Sequence, residues 1–385
     1  MSDATDRSLH DESAERRPAP ARAPRGRGTG WQIAHRFERS QRESVDDGWG
    51  HDDSGDNDWA DPAAAVRTEV RLETCSEILT RNDSPDLPFE WSINPYRGCE
   101  HGCIYCYARP THSYLNLSPG LDFETRLVAK VNAADRLRVA LCRPSWRPQS
   151  INLGSATDAY QPVERELRLT RGLLEVLHEA GQPVSIVTKS GGIVRDLDLL
   201  GEMAQRRQVV VFISVTTLDA ALGRILEPRA AAPQRRLDAI RRLAEAGVWV
   251  GVNVAPVIPF VNEPEIERIL ATAAEAGARS AHWTVLRLPW EVAPLFRSWL
   301  AEHFPDRAER VMARIRDMRG GKDYDANFRD RMRGAGPWAQ LIRQRVEKAA
   351  ARVGLSREVP ALDASAFRPP RAPQAPGAPE QGSLF

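Results

Sequence analysis

The chain has 385 residues, 42% of them apolar, with 53 basic side chains against 52 acidic ones. That length and apolar content allow a sizeable buried core, while the near-neutral balance excludes any argument for an acidic partner from net charge; such an argument must rest on how charge is distributed. Five cysteines, an odd number with three of them inside eight residues, exclude a secreted disulfide framework and favour metal in a reducing compartment.

Residues 1–65 are rich in Arg, Asp, Gly and Pro, carry an acidic block from Asp46 to Asp58 and show no sustained apolar period, so a disordered N-terminal arm is expected. They include no apolar leader, and nowhere in the chain is an apolar run long enough to cross a bilayer. A cytoplasmic protein with no membrane contact is therefore expected.

From 66 to 290 short β-branched runs alternate with stretches of helical period, which points to an α/β fold of parallel strands joined by helical crossovers. Strands are expected near 91–96, 150–154, 184–188, 208–215, 248–254 and 281–286. Two of the intervening helices should stop at Gly181 and Gly247. Six such units are too few for a closed eight-fold barrel, so an open, partial (β/α)6 barrel is expected, with its chemistry at the C-terminal strand ends. Residues 291–352 read as a basic helical C-terminal extension, and 353–385 as a Pro-rich disordered tail.

The segment NPYRGCEHGCIYCYARPTH sets Cys99, Cys103 and Cys106 at Cys-x3-Cys-x2-Cys spacing after the first strand. Thiolates are the preferred ligands of iron-sulfur clusters, and three of them on a four-iron cubane leave one iron open. The rival reading is a structural zinc site closed by His101 or His112. Beyond the loop, polar residues follow the apolar strands: Ser155, Thr157 and Asp158 after the second, Thr188, Lys189 and Ser190 at the third. Ser214 closes the fourth, and Asn253 lies within the fifth. Together they suggest a ring able to hold a polar cofactor. Cys75 and Cys142 read as ordinary thiols.

Over about 90–290 these motifs resemble the radical SAM superfamily, including an aromatic residue, Tyr105, just before the third cysteine. Within it the chain is most similar to the spore photolyase-like group, which shares the Tyr105–Tyr107 segment and the Thr157–Asp158 pair. The resemblance implies a radical SAM enzyme in which Cys99, Cys103 and Cys106 hold a 4Fe-4S cluster. S-adenosyl-L-methionine would chelate the open iron and be cleaved to a 5'-deoxyadenosyl radical. It further implies SAM contacts from Tyr105, Thr157, Asp158, Lys189, Ser214 and Asn253, and a reductase or flavodoxin-type electron donor. Spore photolyase carries a hydrogen-donating cysteine just before the position matched by Thr157, where this chain has Ser155 and Ala156.

For the substrate, Arg307, Arg310, Arg314, Arg316, Arg331, Arg343 and Arg345 with their neighbours give the extension a basic excess that could face phosphates, or simply form a solvated, partly paired surface. Trp290, Trp299, Tyr324 and Trp338 could stack bases or pack in the core. The last residues, with Gln381, Leu384 and Phe385, resemble the peptide by which bacterial repair proteins dock on the DNA sliding clamp. The expectation is DNA repair or modification. A peptide or small-molecule substrate, or a zinc-stabilised binding module, are the alternatives.

Overall fold

A computed structural model of the chain describes residues 23–38 and 66–371. Its strands are β1 (Glu69–Glu73), β2 (Leu79–Arg81), β3 (Trp91–Ile93), β4 (Tyr96–Arg97), β5 (Arg126–Lys130), β6 (Ile151–Leu153), β7 (Val184–Thr188), β8 (Val209–Ser214), β9 (Trp249–Val257) and β10 (Ser280–Val285). The six runs expected from the sequence become β3 and β6 to β10, paired parallel in the order β3-β6-β7-β8-β9-β10. β2 flanks β3 antiparallel. The strands are apolar on the face that the crossover helices cover, and carry polar residues on the opposite, concave face.

The main core lies between sheet and helices, where Ile186, Ile213 and Val252 meet Leu173, Leu177, Ile240 and Ile269. Strand alternation then turns Ser185, Phe212, Ser214, Asn253 and His282 to the concave side. There Asn152 donates to Ser185 at 3.1 Å, and Phe212 meets His282 edge-on with ring centroids 5.1 Å apart. The helix Leu169–Ala180 ends as expected: Gly181 is left-handed (φ 61), and the N–H of Gln182 reaches back to the Leu177 carbonyl. The helix Pro233–Glu245 starts on a proline, which lacks the N–H that a first turn leaves unpaired.

Four features depart from the expectations. A small second sheet, in the order β1-β5-β4, was not foreseen; its strands are too short and too polar on one face to read as a period. Part of the supposedly disordered arm is packed, with Trp31 and Ile33 buried against the cysteine loop. Two apolar residues in a polar stretch make no pattern.

The extension is broken rather than wholly helical: helices Val292–His303, Ala308–Asp317 and Gly336–Arg352 are interrupted by the turn-rich stretch 318–335. Phe296, Trp299, Met312 and Ile315 of the first two pack around the cysteine loop, and Ile342, Val346 and Ala350 of the third enter the main core, so the packing is continuous across 290. Finally, the first part of the expected tail is fastened down. Ala281 N–H donates to the Ser356 carbonyl at 2.9 Å, and Arg368 N–H to that of Ala180 at 2.8 Å. The acidic block Asp46–Asp58 and the clamp-like residues Gln381, Leu384 and Phe385 lie outside the described residues. Among the described residues no helix is long and apolar enough to cross a membrane.

Candidate active site

The chain leaves β3, passes through β4 and enters the cysteine loop at the C-terminal ends of the parallel strands. Cys99 and Cys103 are each 7% exposed, and Cys106 is half-buried. Burial, followed by Asp158 and the neighbouring cysteines, pushes the Cys99 thiol well up; burial and Glu227 do the same to Cys103. Bare thiols in this setting stay protonated, and a bound metal is what would ionise them. Each of the two histidines considered as a fourth ligand has one ring nitrogen engaged, while His112 Nδ1 is buried without a partner. His112 Nε2 lies 2.9 Å from the Arg126 carbonyl, and His101 Nδ1 lies 3.4 Å from Asp158. Among the described residues no group of three His, Cys, Asp or Glu is arranged to hold a single metal ion. Three clustered thiols would suit an iron-sulfur cluster with one open corner.

Three buried carboxylates pin this loop. The first is Glu124, paired at 2.6 Å with Arg109, both of them without exposed surface. Arg109 also donates to the carbonyls of Cys103 (2.9 Å), Gly102 (3.1 Å), Gly120 (2.8 Å) and Pro119 (3.3 Å). Glu124 accepts in turn from the Gly28 N–H at 2.8 Å. The N-terminal strap runs so close here that a Cβ on Gly28 would stand 1.9 Å from the Gly102 carbonyl oxygen.

The second is Asp158. Its carboxylate accepts from Thr188 Oγ1 (2.7 Å), Lys189 N–H (2.7 Å) and Tyr160 N–H (2.9 Å), and faces His101. Burial works to raise its pKa, but His101 and these donors outweigh burial and hold it far below the usual carboxylate range. The third is Glu227, bound by the Tyr105 hydroxyl, by Thr216 at 2.6 Å and by Arg236, which also donates to the Ser214 carbonyl at 3.1 Å. Burial opposes its charge, yet Arg236 and Lys189 bring its pKa down to about 2.

Parallel register assembles a polar row on the concave side. Thr188 pairs with Ile213, so Lys189 follows level with Ser214; Ser214 pairs with Asn253, and Asn253 with His282. Lys189 Nζ sits 5.9 Å from the centroid of the Tyr105 ring. Burial disfavours its charge, but Cys103 and Glu227 outweigh burial and raise its pKa above the ordinary value. Lys189, Ser214 and Asn253 are thus neighbours along the concave side.

Three other expected cofactor contacts have their polar side-chain atoms already bonded within the protein. Thr157 Oγ1 donates to the Gly98 carbonyl at 2.7 Å, the Tyr105 hydroxyl is spent on Glu227, and both Asp158 oxygens are occupied. At the rim, half-exposed Tyr107 donates to the Ser155 carbonyl under the Arg287 guanidinium, and Asn94 Nδ2 donates to Ser155 Oγ at 3.1 Å. Sequence reasoning missed Arg109, Glu124, Glu227 and Arg236, which carry no local pattern. It also missed His282, which the period-2 alternation of SAHWTV could have placed on the inner face.

The basic extension is charge-paired in part, with acids both inside and outside it. Arg316 binds Glu309 and Asp323, Arg331 grips Asp86 with two nitrogens, Arg343 meets Glu347, and Arg345 joins Glu263 to Glu267. Trp299 is in the core with its indole N–H on the Ile225 carbonyl at 3.0 Å, and Trp338 packs beside Phe260. Trp290 alone among the four stands well exposed, with Arg36 over its ring.

Comparison with known proteins agrees with this geometry. A family profile described as the radical SAM superfamily matches residues 93–273. An uncharacterised protein of Mycobacterium tuberculosis (strain H37Rv) is 38% identical over 263 residues, covering 67% of this chain and 76% of its own length. Another, of Methanocaldococcus jannaschii, is 29% identical over 176 residues, 46% of this chain and 63% of its own. Among solved structures, spore photoproduct lyase complexed with dinucleoside spore photoproduct aligns with a TM-score of 0.50 at 15% identity, over 74% of this chain and 80% of that one. A mutant form with bound AdoMet gives the same values. At that identity the likeness is one of fold.

Proposed function

The chain belongs to the radical SAM superfamily, and from that premise we propose that it is a spore photolyase-like enzyme holding a 4Fe-4S cluster on Cys99, Cys103 and Cys106, cleaving S-adenosylmethionine reductively and acting on DNA. The observation that supports the reading is the three-thiol loop at the C-terminal strand ends, with Lys189 Nζ 5.9 Å from the Tyr105 ring and Lys189, Ser214 and Asn253 level with one another along the sheet. When bound, such a cluster supplies the electron that breaks a carbon-sulfur bond of SAM and releases a 5'-deoxyadenosyl radical.

The chain's own part is placement. Lys189 offers a cation to the SAM carboxylate, while Ser214 and Asn253 offer polar groups one strand apart for the rest of the molecule. Glu227, Asp158 and Glu124 keep the loop from shifting as ligands arrive. Fold neighbours that bind a dinucleoside lesion support a nucleic-acid substrate. Just before Thr157, where spore photolyase carries its hydrogen-donating cysteine, this chain has Ser155 and Ala156, and a serine O–H is a poor hydrogen-atom donor, so the proposed reaction is a different repair or modification from that of spore photolyase.

The test is anaerobic reconstitution followed by iron and sulfide analysis, then incubation with SAM and dithionite. Formation of 5'-deoxyadenosine and, with deuterated DNA, its deuterium labelling are expected. Stoichiometric zinc in place of iron, or no 5'-deoxyadenosine, would end the reading.

A further inference from the structure

A concavity of about 600 Å³ opens between the Ser190–Gly192 loop and the helix Pro233–Glu245. Arg235, Asp238, Ala239 and Arg242, at the i, i+3, i+4, i+7 spacing of one helix face, line one wall. His101 and Tyr160 form its floor, only 2% and 4% exposed, and Arg165 and Arg229 complete the rim. Arg229 is tied to Glu100 at 3.0 Å, and its N–H donates to the His101 carbonyl at 3.2 Å. Asp238, the acid of the groove, is held by Arg241 at 2.9 Å. Arg165, Arg235 and Arg242 make no ion pair among the described residues. Arg229 is thus spent on the buried Glu100, and the positive charge of the groove comes from Arg165, Arg235 and Arg242.

Position separates the possible occupants. His101 lies between Cys99 and Cys103, so the floor of the groove is the back of the cysteine loop. The helix that lines the groove packs on the helix-covered side of the sheet, whereas Lys189, Ser214 and Asn253 lie along its concave side, where cofactor and substrate would sit. An electron needed at the cysteines must enter from a side that the substrate does not cover. Nucleic-acid phosphates match the charge, but nothing calls for them behind the loop.

We propose that this groove is the docking surface for an acidic one-electron carrier protein of the flavodoxin type, an inference that rests on the cluster reading above. In the transfer the carrier's reduced flavin loses one electron, passing from hydroquinone to semiquinone, and the iron-sulfur group on the three cysteines gains it; no atom moves between the proteins. Contacts of this kind are small, transient and steered by charge.

The experiment mixes flavodoxin hydroquinone with reconstituted full-length protein in anaerobic stopped flow and follows semiquinone formation, alongside titration of oxidised flavodoxin for affinity. Arg235→Glu/Arg242→Glu should lower the second-order rate constant about 10- to 100-fold at low ionic strength, flatten its salt dependence and weaken binding. Arg235→Gln/Arg242→Gln should fall between the two. Dithionite, which needs no docking surface, should reduce all three proteins alike. Equal flavodoxin rates and affinities with normal dithionite reduction would reject the docking surface alone. A variant that loses affinity for an oligonucleotide while keeping its flavodoxin rate would reassign the groove to nucleic acid. Wild-type protein that dithionite cannot reduce would remove the cluster reading, and the docking proposal with it.

Discussion

Replacing Arg109 by methionine is the sharpest single test of how the site is built. The guanidinium is buried against Glu124 at 2.6 Å and donates to four carbonyls, two of them on Gly102 and Cys103 within the cysteine loop. Truncating one partner of a buried ion pair costs roughly 3 to 5 kcal/mol, because the other charge is left uncompensated. Each carbonyl that water does not reach adds about 1 kcal/mol. Against a total stability on the order of 5 to 15 kcal/mol the loss is large, and it falls on the loop that carries the thiols.

Arg109→Met should therefore unfold at markedly lower urea and retain little iron after anaerobic reconstitution. Arg109→Lys keeps the charge but not the planar fork, and should lie between. Arg109→Met/Glu124→Leu removes the stranded charge and should regain stability without regaining iron, since the loop carbonyls stay unanchored. Wild-type iron content and an unshifted urea midpoint in Arg109→Met would refute the reasoning.

Cys99→Ala, Cys103→Ala and Cys106→Ala should each abolish iron-sulfur absorption, whereas Cys75→Ala and Cys142→Ala, whose thiols face Asn132 Oδ1 and the Pro370 carbonyl, should leave it intact. Lys189→Ala should weaken SAM binding by about 1.5 to 3 kcal/mol, measured by equilibrium dialysis, with iron content unchanged. Gly28→Ala sets a methyl where the Gly102 carbonyl stands, so the strap must lift, and limited proteolysis should open the stretch around residue 28 first. Burial, then Arg333 and Arg357, push His282 below the usual imidazole value. The unfolded chain thus takes up a proton that the folded chain refuses, and stability should fall as pH drops below about 6.5. The fall should be shallower in His282→Gln.

What the sequence made legible were the features with a local signature. β-branched runs gave all six parallel strands to within a few residues, Gly181 marked a helix end, and cysteine spacing marked the loop. The polar row was legible because parallel register turns residues at strand ends into neighbours. The strap was not, since Trp31 and Ile33 are isolated in a polar stretch and gain meaning only against Cys103 and Ile104. Charge left two readings open in the extension, a phosphate-facing surface or a partly paired one, and the pairing involves distant partners: Arg331 finds Asp86 and Arg345 finds Glu263 across long stretches of chain. A linear count cannot see partners so distant.

The illegible residues share a physical origin. Between β4 and the helix that follows, the cysteine loop is irregular backbone inside a protein end, where carbonyls lack the ladder partners that a strand would provide. A side chain must supply them, and Arg109, with its five N–H donors in a rigid fork, can serve four carbonyls and one carboxylate at once. The same logic places Asp158 where the N–H of Lys189 and the imidazole of His101 converge, and Glu227 where Tyr105 and Arg236 meet. Asp158 is therefore better understood as the bond between the cysteine loop and the strand end that carries Lys189 than as a contact for a ligand. Shortening it to serine should disturb both the thiols and Lys189, whereas removing Lys189 should disturb only the cofactor.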